Sequence, residues 1–230
     1  MSNSQYRELE QLITEYEQDC RTIKSDRLIM KNYPKVFTMS AASSFERQLK
    51  SRCKDFLDSP ILPLETNYPK VFSLQKKNEP VVDRMFAKLK GFEDNGIETL
   101  NAQEFYDFLG GANFQNTVEQ NYESERTSTL QHIEGTITVL SSLLENDSEN
   151  EQYAFDYAKQ SDLKEQLECC SFSDAEKSYL SLKLRRNRVA HNYIDGLSDT
   201  FEDIQKFYNT AVLYVIALET SIIALTQQTT

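Results

Sequence analysis

Residues that interrupt helices are scarce in this chain. Only six glycines and five prolines occur among its 230 residues, and four of the prolines lie between positions 58 and 80. Leu, Glu, Lys, Gln and Ala, which favour helix, are plentiful. Hydrophobic residues make up 39% of the chain, enough to bury one good core. We therefore expect an all-α helical bundle with long helices, a single domain over residues 1–230, and a proline-containing loop at about 58–80.

Cysteine and histidine are too few for a zinc site. The four cysteines show no Cys-x-x-Cys spacing, and neither of the two histidines lies at a metal-finger distance. We expect no metal and no cofactor. Cys169 and Cys170 indicate small residues at a helix end, with a redox role as the alternative, and His132 is interpreted as a packed histidine among apolar neighbours.

Positive charge is also in deficit, because 25 Lys and Arg face 36 Asp and Glu, a net charge of −11. That is the wrong sign for a protein that holds nucleic acid over a broad surface, so any RNA contact must be local. The densest cationic run is Lys183, Arg185, Arg186 and Arg188. Its alternative interpretation is a solvated helix C-terminus, where cations interact favourably with the helix dipole.

Targeting and membrane signals are weak. No charged-then-apolar leader opens the chain, so we expect a cytoplasmic protein. The most apolar segment, 211–225, is interrupted by Glu219 and Thr220 and is short for a bilayer span. We interpret it as a buried or subunit-facing helix and expect no membrane partner.

Apolar spacing predicts most of the helices. They cover 4–29, 40–57, 80–91, 114–145 and 152–168, with an exposed acidic connection at 145–151. Capping boxes at 101–104 and 173–176 begin a short helix that ends at Gly110–Gly111 and a helix over about 173–194. A final helix is expected at about 199–227.

The hexapeptide Asn-Tyr-Pro-Lys-Val-Phe occurs twice, at 32–37 and 67–72. The similarity does not continue as a solenoid repeat would require. We interpret it as a proline turn that delivers Val and Phe into the core at two equivalent corners. Two copies of a partner-binding loop are the alternative.

The helix at 173–194 carries the strongest candidate for chemistry. At about 100° per residue, Lys183, Arg186, Asn187 and His191 fall inside or at the margins of its apolar arc. Burying them without partners would cost several kcal/mol, so this face should meet a cleft or a second subunit. The opposite side, where water is expected, carries Ser178, Ser181, Arg185 and Arg188.

The pattern Arg186, Asn187, His191, Tyr193 resembles the HEPN superfamily (higher eukaryotes and prokaryotes nucleotide-binding domains). Its place at the end of a penultimate helix, before a long last helix, is similar too, and Ser43 to Glu46 in an early helix also looks like the family. The resemblance, concentrated in 173–225, implies a ribonuclease whose active cleft forms between two protomers. Tyr193 matches a His-x-Tyr extension of toxins paired with a nucleotidyltransferase, which implies inhibitory nucleotidylation there.

The residue types suit cleavage of RNA without a metal. RNA supplies the 2′-hydroxyl nucleophile, so formation of a 2′,3′-cyclic phosphate needs only a proton carrier and a positive charge. His191 can carry the proton, Arg186 can bind phosphate oxygens bidentately, and Asn187 can fix the imidazole or donate to phosphate. Lys183 and Tyr193 are expected to bind substrate, with a core tyrosine as the alternative for Tyr193.

Three functional classes follow. The leading one is a metal-independent endoribonuclease of HEPN type, acting as a toxin or phage-defence effector. It is expected to be a homodimer with a composite active site and to have an antitoxin, nucleotidyltransferase or other regulatory partner. The alternatives are a catalytically inactive HEPN-like module that binds a nucleotide or protein, and a structural helical adaptor. The RNA target, its base specificity and the inhibitor or activator are not encoded in any pattern recognised in the sequence.

Overall fold

The computed structural model describes residues 6–22, 28–59, 64–94, 97–193 and 197–227. These residues form ten helices and one pair of strands. The first part contains α1 (Arg7–Thr22), α2 (Leu28–Leu57), α3 (Leu64–Asn67), α4 (Pro69–Lys76), α5 (Val81–Phe86), β1 (Lys90–Asp94) and β2 (Ile97–Asn101). The second part contains α6 (Gln103–Tyr106), α7 (Ala112–Asn146), α8 (Glu151–Glu168), α9 (Phe172–His191) and α10 (Phe201–Gln227). The prediction of an all-α helical bundle is confirmed.

The last helix, α10, lies at the centre of the bundle and contacts α2, α7 and α9. The buried apolar side chains of the described residues form one cluster. Aromatic rings join the central helices within it: the rings of Phe45 and Tyr208 stack with their centroids 5.8 Å apart, and Tyr179 packs against Phe45. Each such buried ring or aliphatic side chain contributes about 1.5–3 kcal/mol, so this core fixes α2, α9 and α10 relative to one another.

By length and composition alone, α10 could cross a membrane, since it is 27 residues long and contains an 18-residue window with a mean hydropathy of 1.5. The segment 211–225, expected to be short for a bilayer span, is part of this longer helix. In the structure, 61% of the apolar window is buried against the rest of the protein.

The predicted loop at 58–80 is wrong in part, because α3 and α4 lie within it. Pro69 occupies the first turn of α4, where a missing backbone N–H costs nothing. Pro34, in the other copy of the hexapeptide, lies inside α2. The two copies are not equivalent corners: Phe37 is buried and Val36 exposed in the first, whereas Val71 is the buried residue in the second.

The predicted helix at 80–91 is also wrong in its second half. The observed helix, α5, ends at Phe86. After it, β1 pairs with β2 in an antiparallel hairpin in which Lys90 faces Asn101. Ile97 and Thr99, which are β-branched and favour strands, follow in β2. Both strands contact α9, so the hairpin covers one side of the helix that carries the motif.

The helix bearing the motif begins two residues earlier than the capping box at 173–176 predicts. Ser171 accepts from the backbone N–H of Asp174, whose carboxylate accepts from the backbone N–H of Ser171. At its other end α9 stops at His191, before the expected end at about 194, which lies outside the described residues. Thr200 and Asp203 form the equivalent reciprocal pair at the start of α10.

Candidate functional site

Helices α2 and α9 run antiparallel along the motif, as two contacts between them show. A terminal guanidinium nitrogen of Arg186 donates to Glu46 Oε2 at 2.9 Å, and the Tyr193 hydroxyl donates to Asn32 Oδ1 at 3.2 Å. Moving toward the end of the motif on α9 therefore means moving toward the beginning of α2. The motif residues lie between these two contacts.

Arg186 and Glu46 form a half-buried ion pair. Their side chains are 21% and 17% exposed. Burial alone would raise the pKa of Glu46, but the charges of Lys183, Arg186 and Lys50 outweigh it and the pKa is lowered. The Nε of Arg186 is buried and has no hydrogen-bond partner among the described residues. The protein thus fixes this guanidinium by one carboxylate and leaves part of its donor capacity unused.

Asn187 and His191 are exposed, contrary to the prediction that they face inward. They lie four residues apart, so their side chains share one face of the last two turns of α9. The prediction from the helical wheel is wrong here because the surroundings of α9 change along its length. From Tyr179 to Leu184 every residue is buried, whereas the last turns emerge from beneath the neighbouring helices.

Lys183 is buried, with 6% of its surface exposed. Its ammonium donates to the backbone carbonyl of Leu89 at 2.6 Å and lies 3.8 Å from Glu46. Desolvation lowers its pKa to about 8, although the negative charge of Glu46 acts in the opposite direction. The ammonium of Lys183 is occupied by the Leu89 carbonyl and by Glu46, so this residue fixes the turn before the hairpin. The prediction that Lys183 binds substrate is therefore wrong.

Arg185 is half-buried where water was expected, with 11% of its side chain exposed, so this part of the helical-wheel prediction is wrong. Its guanidinium donates to Asp199 at 3.1 and 3.2 Å and lies 4.4 Å from the centre of the Phe207 ring. It therefore connects α9 to the segment before α10 and to α10 itself. Ser181, also expected in water, is buried. Two of the four cations in the densest run are thus used inside the protein.

Tyr193 is 49% exposed, which excludes the core tyrosine alternative. Its hydroxyl is held by Asn32, and the ammonium of Lys35 lies 4.9 Å from the centre of its ring. A cation over an aromatic face is attracted by the ring quadrupole. Tyr193 is therefore a positioned, accessible aromatic side chain just beyond His191.

A groove of about 490 Å³ opens along α2 beside Arg186. Its lining consists of Ser43, Glu46, Arg47, Lys50, Ser51, Lys54 and Arg186. Sequence reasoning missed the three cations of α2. The signal was available, because positions 43, 47, 50 and 54 fall on one helical face opposite the buried Phe45, Leu49 and Cys53.

The remaining candidates lie elsewhere. A larger cleft of about 690 Å³ between α1, α8 and α10 contains none of the motif residues. His132 is exposed on α7, so its interpretation as a packed histidine is wrong. Cys53 and Cys170 are buried and Cys169 is exposed, all three as free thiols. In the described part of the chain, no group of His, Cys, Asp or Glu side chains is arranged to hold a metal ion.

Comparison with known proteins finds no relative of this chain. The chain matches no protein-family model, no curated protein and no solved structure. The resemblance to the HEPN superfamily therefore depends on the residues of the motif and on their place in the bundle.

Proposed function

We propose that this protein is a metal-independent endoribonuclease of HEPN type that acts as a toxin or defence effector. One observation carries the proposal: His191 is free at the surface at the end of α9, and Arg186, on the same helix, borders a groove with three further cations. This combination supplies an exposed proton carrier five residues from a fixed positive charge on the same helix. Those are the two things that intramolecular cleavage of RNA requires.

The reaction is an exchange of one P–O bond for another. The 2′-oxygen of the substrate forms a bond to phosphorus, and the bond from phosphorus to the 5′-oxygen breaks, leaving a 2′,3′-cyclic phosphate and a 5′-hydroxyl. A base takes the proton from the 2′-hydroxyl, and an acid gives one to the departing 5′-oxygen. Arg186 binds the non-bridging oxygens, and Asn187 orients the imidazole of His191 or donates to the same phosphate.

Two proton carriers serve this reaction better than one, and each chain supplies a single histidine to the site. A two-fold dimer that joins the exposed ends of two α9 helices would provide the second. It would also cover the polar surface of Asn187 and His191, which stands in water in the single chain. Dimerisation therefore completes the cleft.

Tyr193 serves this site in one of two ways. As a half-exposed ring beyond His191, it can stack on a base of the substrate. Its hydroxyl is also accessible enough for nucleotidylation, and a charged group added there would lie beside the cleft and obstruct phosphate binding. The second use would give a nucleotidyltransferase partner control over the nuclease.

The test is incubation of purified protein with total RNA in EDTA, followed by analysis of the product ends. We expect cleavage that resists chelation and leaves 2′,3′-cyclic phosphate and 5′-hydroxyl ends. His191→Ala should lower the rate by about 10²–10⁴-fold, and Arg186→Ala should also abolish most of it. His132→Ala is the matched control, because His132 is exposed but lies on α7, outside the site.

Loss of cleavage on chelation would contradict the mechanism. If folded, dimeric protein leaves RNA intact but binds a nucleotide or a protein, the ribonuclease proposal is rejected in favour of a catalytically inactive binding module.

A further inference from the structure

The net charge of the chain is distributed very unevenly. Residues 112–168, which form α7, α8 and their connection, contain 12 acidic and 3 basic residues, a net charge of −9. The whole chain carries −11, so the remaining 173 residues carry only −2. Repulsion of a polyanion is therefore concentrated at the α7–α8 pair, and the groove beside Arg186 belongs to the nearly neutral part.

Two cations of the groove have no partner among the residues that the structure describes. Arg47 and Lys54 are exposed and form no ion pair with any described residue. Lys50, between them, is shared by Glu46 and Asp83, each at 3.0 Å. The hydroxyl-bearing Ser43 and Ser51 lie along the same lining and can add neutral donors.

We propose that Arg47 and Lys54 form a binding site for the backbone phosphates of single-stranded RNA, beside the bond that is cleaved. The two residues are seven positions apart on α2, about 10.5 Å along the helix axis. They can therefore neutralise separate phosphates, while Arg186 at the edge of the groove holds the reacting one. The substrate class rests on the proposed function, since only that function requires the strand to pass both the groove and His191.

The groove favours a single strand because Arg47 and Lys54 lie on one face of one helix, α2. A strand lying there needs no second groove or symmetric partner surface, and its bases remain free to reach Tyr193. Binding of RNA in this groove depends on the salt concentration, because each phosphate that is neutralised releases counterions.

The test uses a strand that the protein cannot cleave: a fluorescent eight-nucleotide RNA with 2′-O-methyl groups throughout. Its affinity is measured by anisotropy between 50 and 200 mM salt for wild type and for Arg47→Gln/Lys54→Gln. Each lost phosphate contact lowers the slope of log affinity against log salt by about 0.7 for a single strand, so the double variant should lose about 1.4. Over this range its affinity should fall about sevenfold less than that of wild type.

The matched control is Lys76→Gln/Lys77→Gln, which removes the same charge from two exposed lysines outside the groove lining. We expect the control to keep the wild-type slope. An unchanged slope in folded Arg47→Gln/Lys54→Gln, or failure of wild type to bind the strand, would overturn the phosphate site.

Cleavage of unmodified RNA, measured in parallel, separates this inference from the proposed function. If the wild type cleaves RNA but the slope of log affinity against log salt does not depend on Arg47 and Lys54, the phosphate site is rejected and the ribonuclease function stands. If the wild type binds RNA through these residues but leaves it intact, the ribonuclease function is rejected and the phosphate site stands. If both hold, the double variant should raise KM and leave kcat unchanged.

Discussion

Arg186 and Glu46, 140 residues apart in the chain, meet at 2.9 Å and connect the motif helix to α2. The same carboxylate lies 3.8 Å from the buried ammonium of Lys183 and is bonded to Lys50 at 3.0 Å. Three cations thus share one carboxylate. Glu46 is the residue that allows Arg186 to be half-buried and still charged, because an unpaired guanidinium in that position would be costly.

Glu46→Gln keeps the shape of this side chain and removes its charge. Removing one partner of a buried pair costs 3–5 kcal/mol; with the partial exposure of Glu46 and Arg186, we expect a loss of about 1–3 kcal/mol in the free energy of unfolding at pH 7. Urea unfolding measures it. Glu65→Gln, at an exposed position on α3, is the control and should be near neutral.

The same pair predicts a dependence on pH. The folded pKa of Glu46 lies below its ordinary value of 4.5. Stability from Glu46 is therefore present above pH 4.5 and is lost as pH falls through the folded pKa. The gap between wild type and Glu46→Gln should shrink below pH 4.5, and a gap that persists unchanged would contradict the charge interaction.

Lys183 predicts a second dependence on pH, in the alkaline range. Its folded pKa is about 8 against an ordinary 10.5, so between these values the unfolded chain binds more protons than the folded one. The free energy of unfolding therefore rises with pH in this window, by up to about 1.4 kcal/mol per pH unit. Lys183→Met removes the contribution. Urea unfolding at pH 7, 8 and 9 should show wild type gaining on the variant, and parallel curves would sink the assignment.

The start of α9 gives a test in which two nearby serines differ. Ser171 caps the helix and its hydroxyl accepts from the backbone of Asp174 at 3.2 Å, whereas Ser173 is exposed within the first turn. Ser171→Ala should cost about 1 kcal/mol because a backbone donor loses its partner. Ser173→Ala should be close to neutral. Thermal unfolding of the two variants side by side decides between the structure and the capping box expected at 173–176.

Local patterns were sufficient for much of this fold. The long helices α7, α8, α9 and α10 follow from apolar spacing, and Gly110 and Gly111, both with positive φ, separate α6 from α7, although α6 ends earlier than expected, at Tyr106. These features depend on neighbours in sequence. Proline misled the prediction, because Pro34 and Pro69 lie in helices and a proline alone does not distinguish a turn from a helix start.

The candidate site was less accessible to sequence reasoning, since its geometry depends on which element covers each turn of α9. The turn before the hairpin covers Lys183, which shares the apolar arc, whereas Asp199 and Phe207 cover Arg185, which the helical wheel places in water. Conversely, Asn187 and His191 share the apolar arc but lie where α9 leaves its neighbours. Helical periodicity gives the direction of a side chain and says nothing of what stands in front of it.

A composite cleft makes the activity depend on pairing of the chains. Adding a tenfold excess of His191→Ala chains to wild type should leave about one wild-type chain in eleven with an intact partner, so activity per wild-type chain should fall roughly tenfold after exchange. His191 is exposed in the single chain, so the variant should fold normally, and sedimentation of the variant alone checks that it still pairs. Adding the same excess of His132→Ala, which retains the motif, should not inhibit. Undiminished wild-type activity, with sedimentation showing monomers, would place a complete site in each chain.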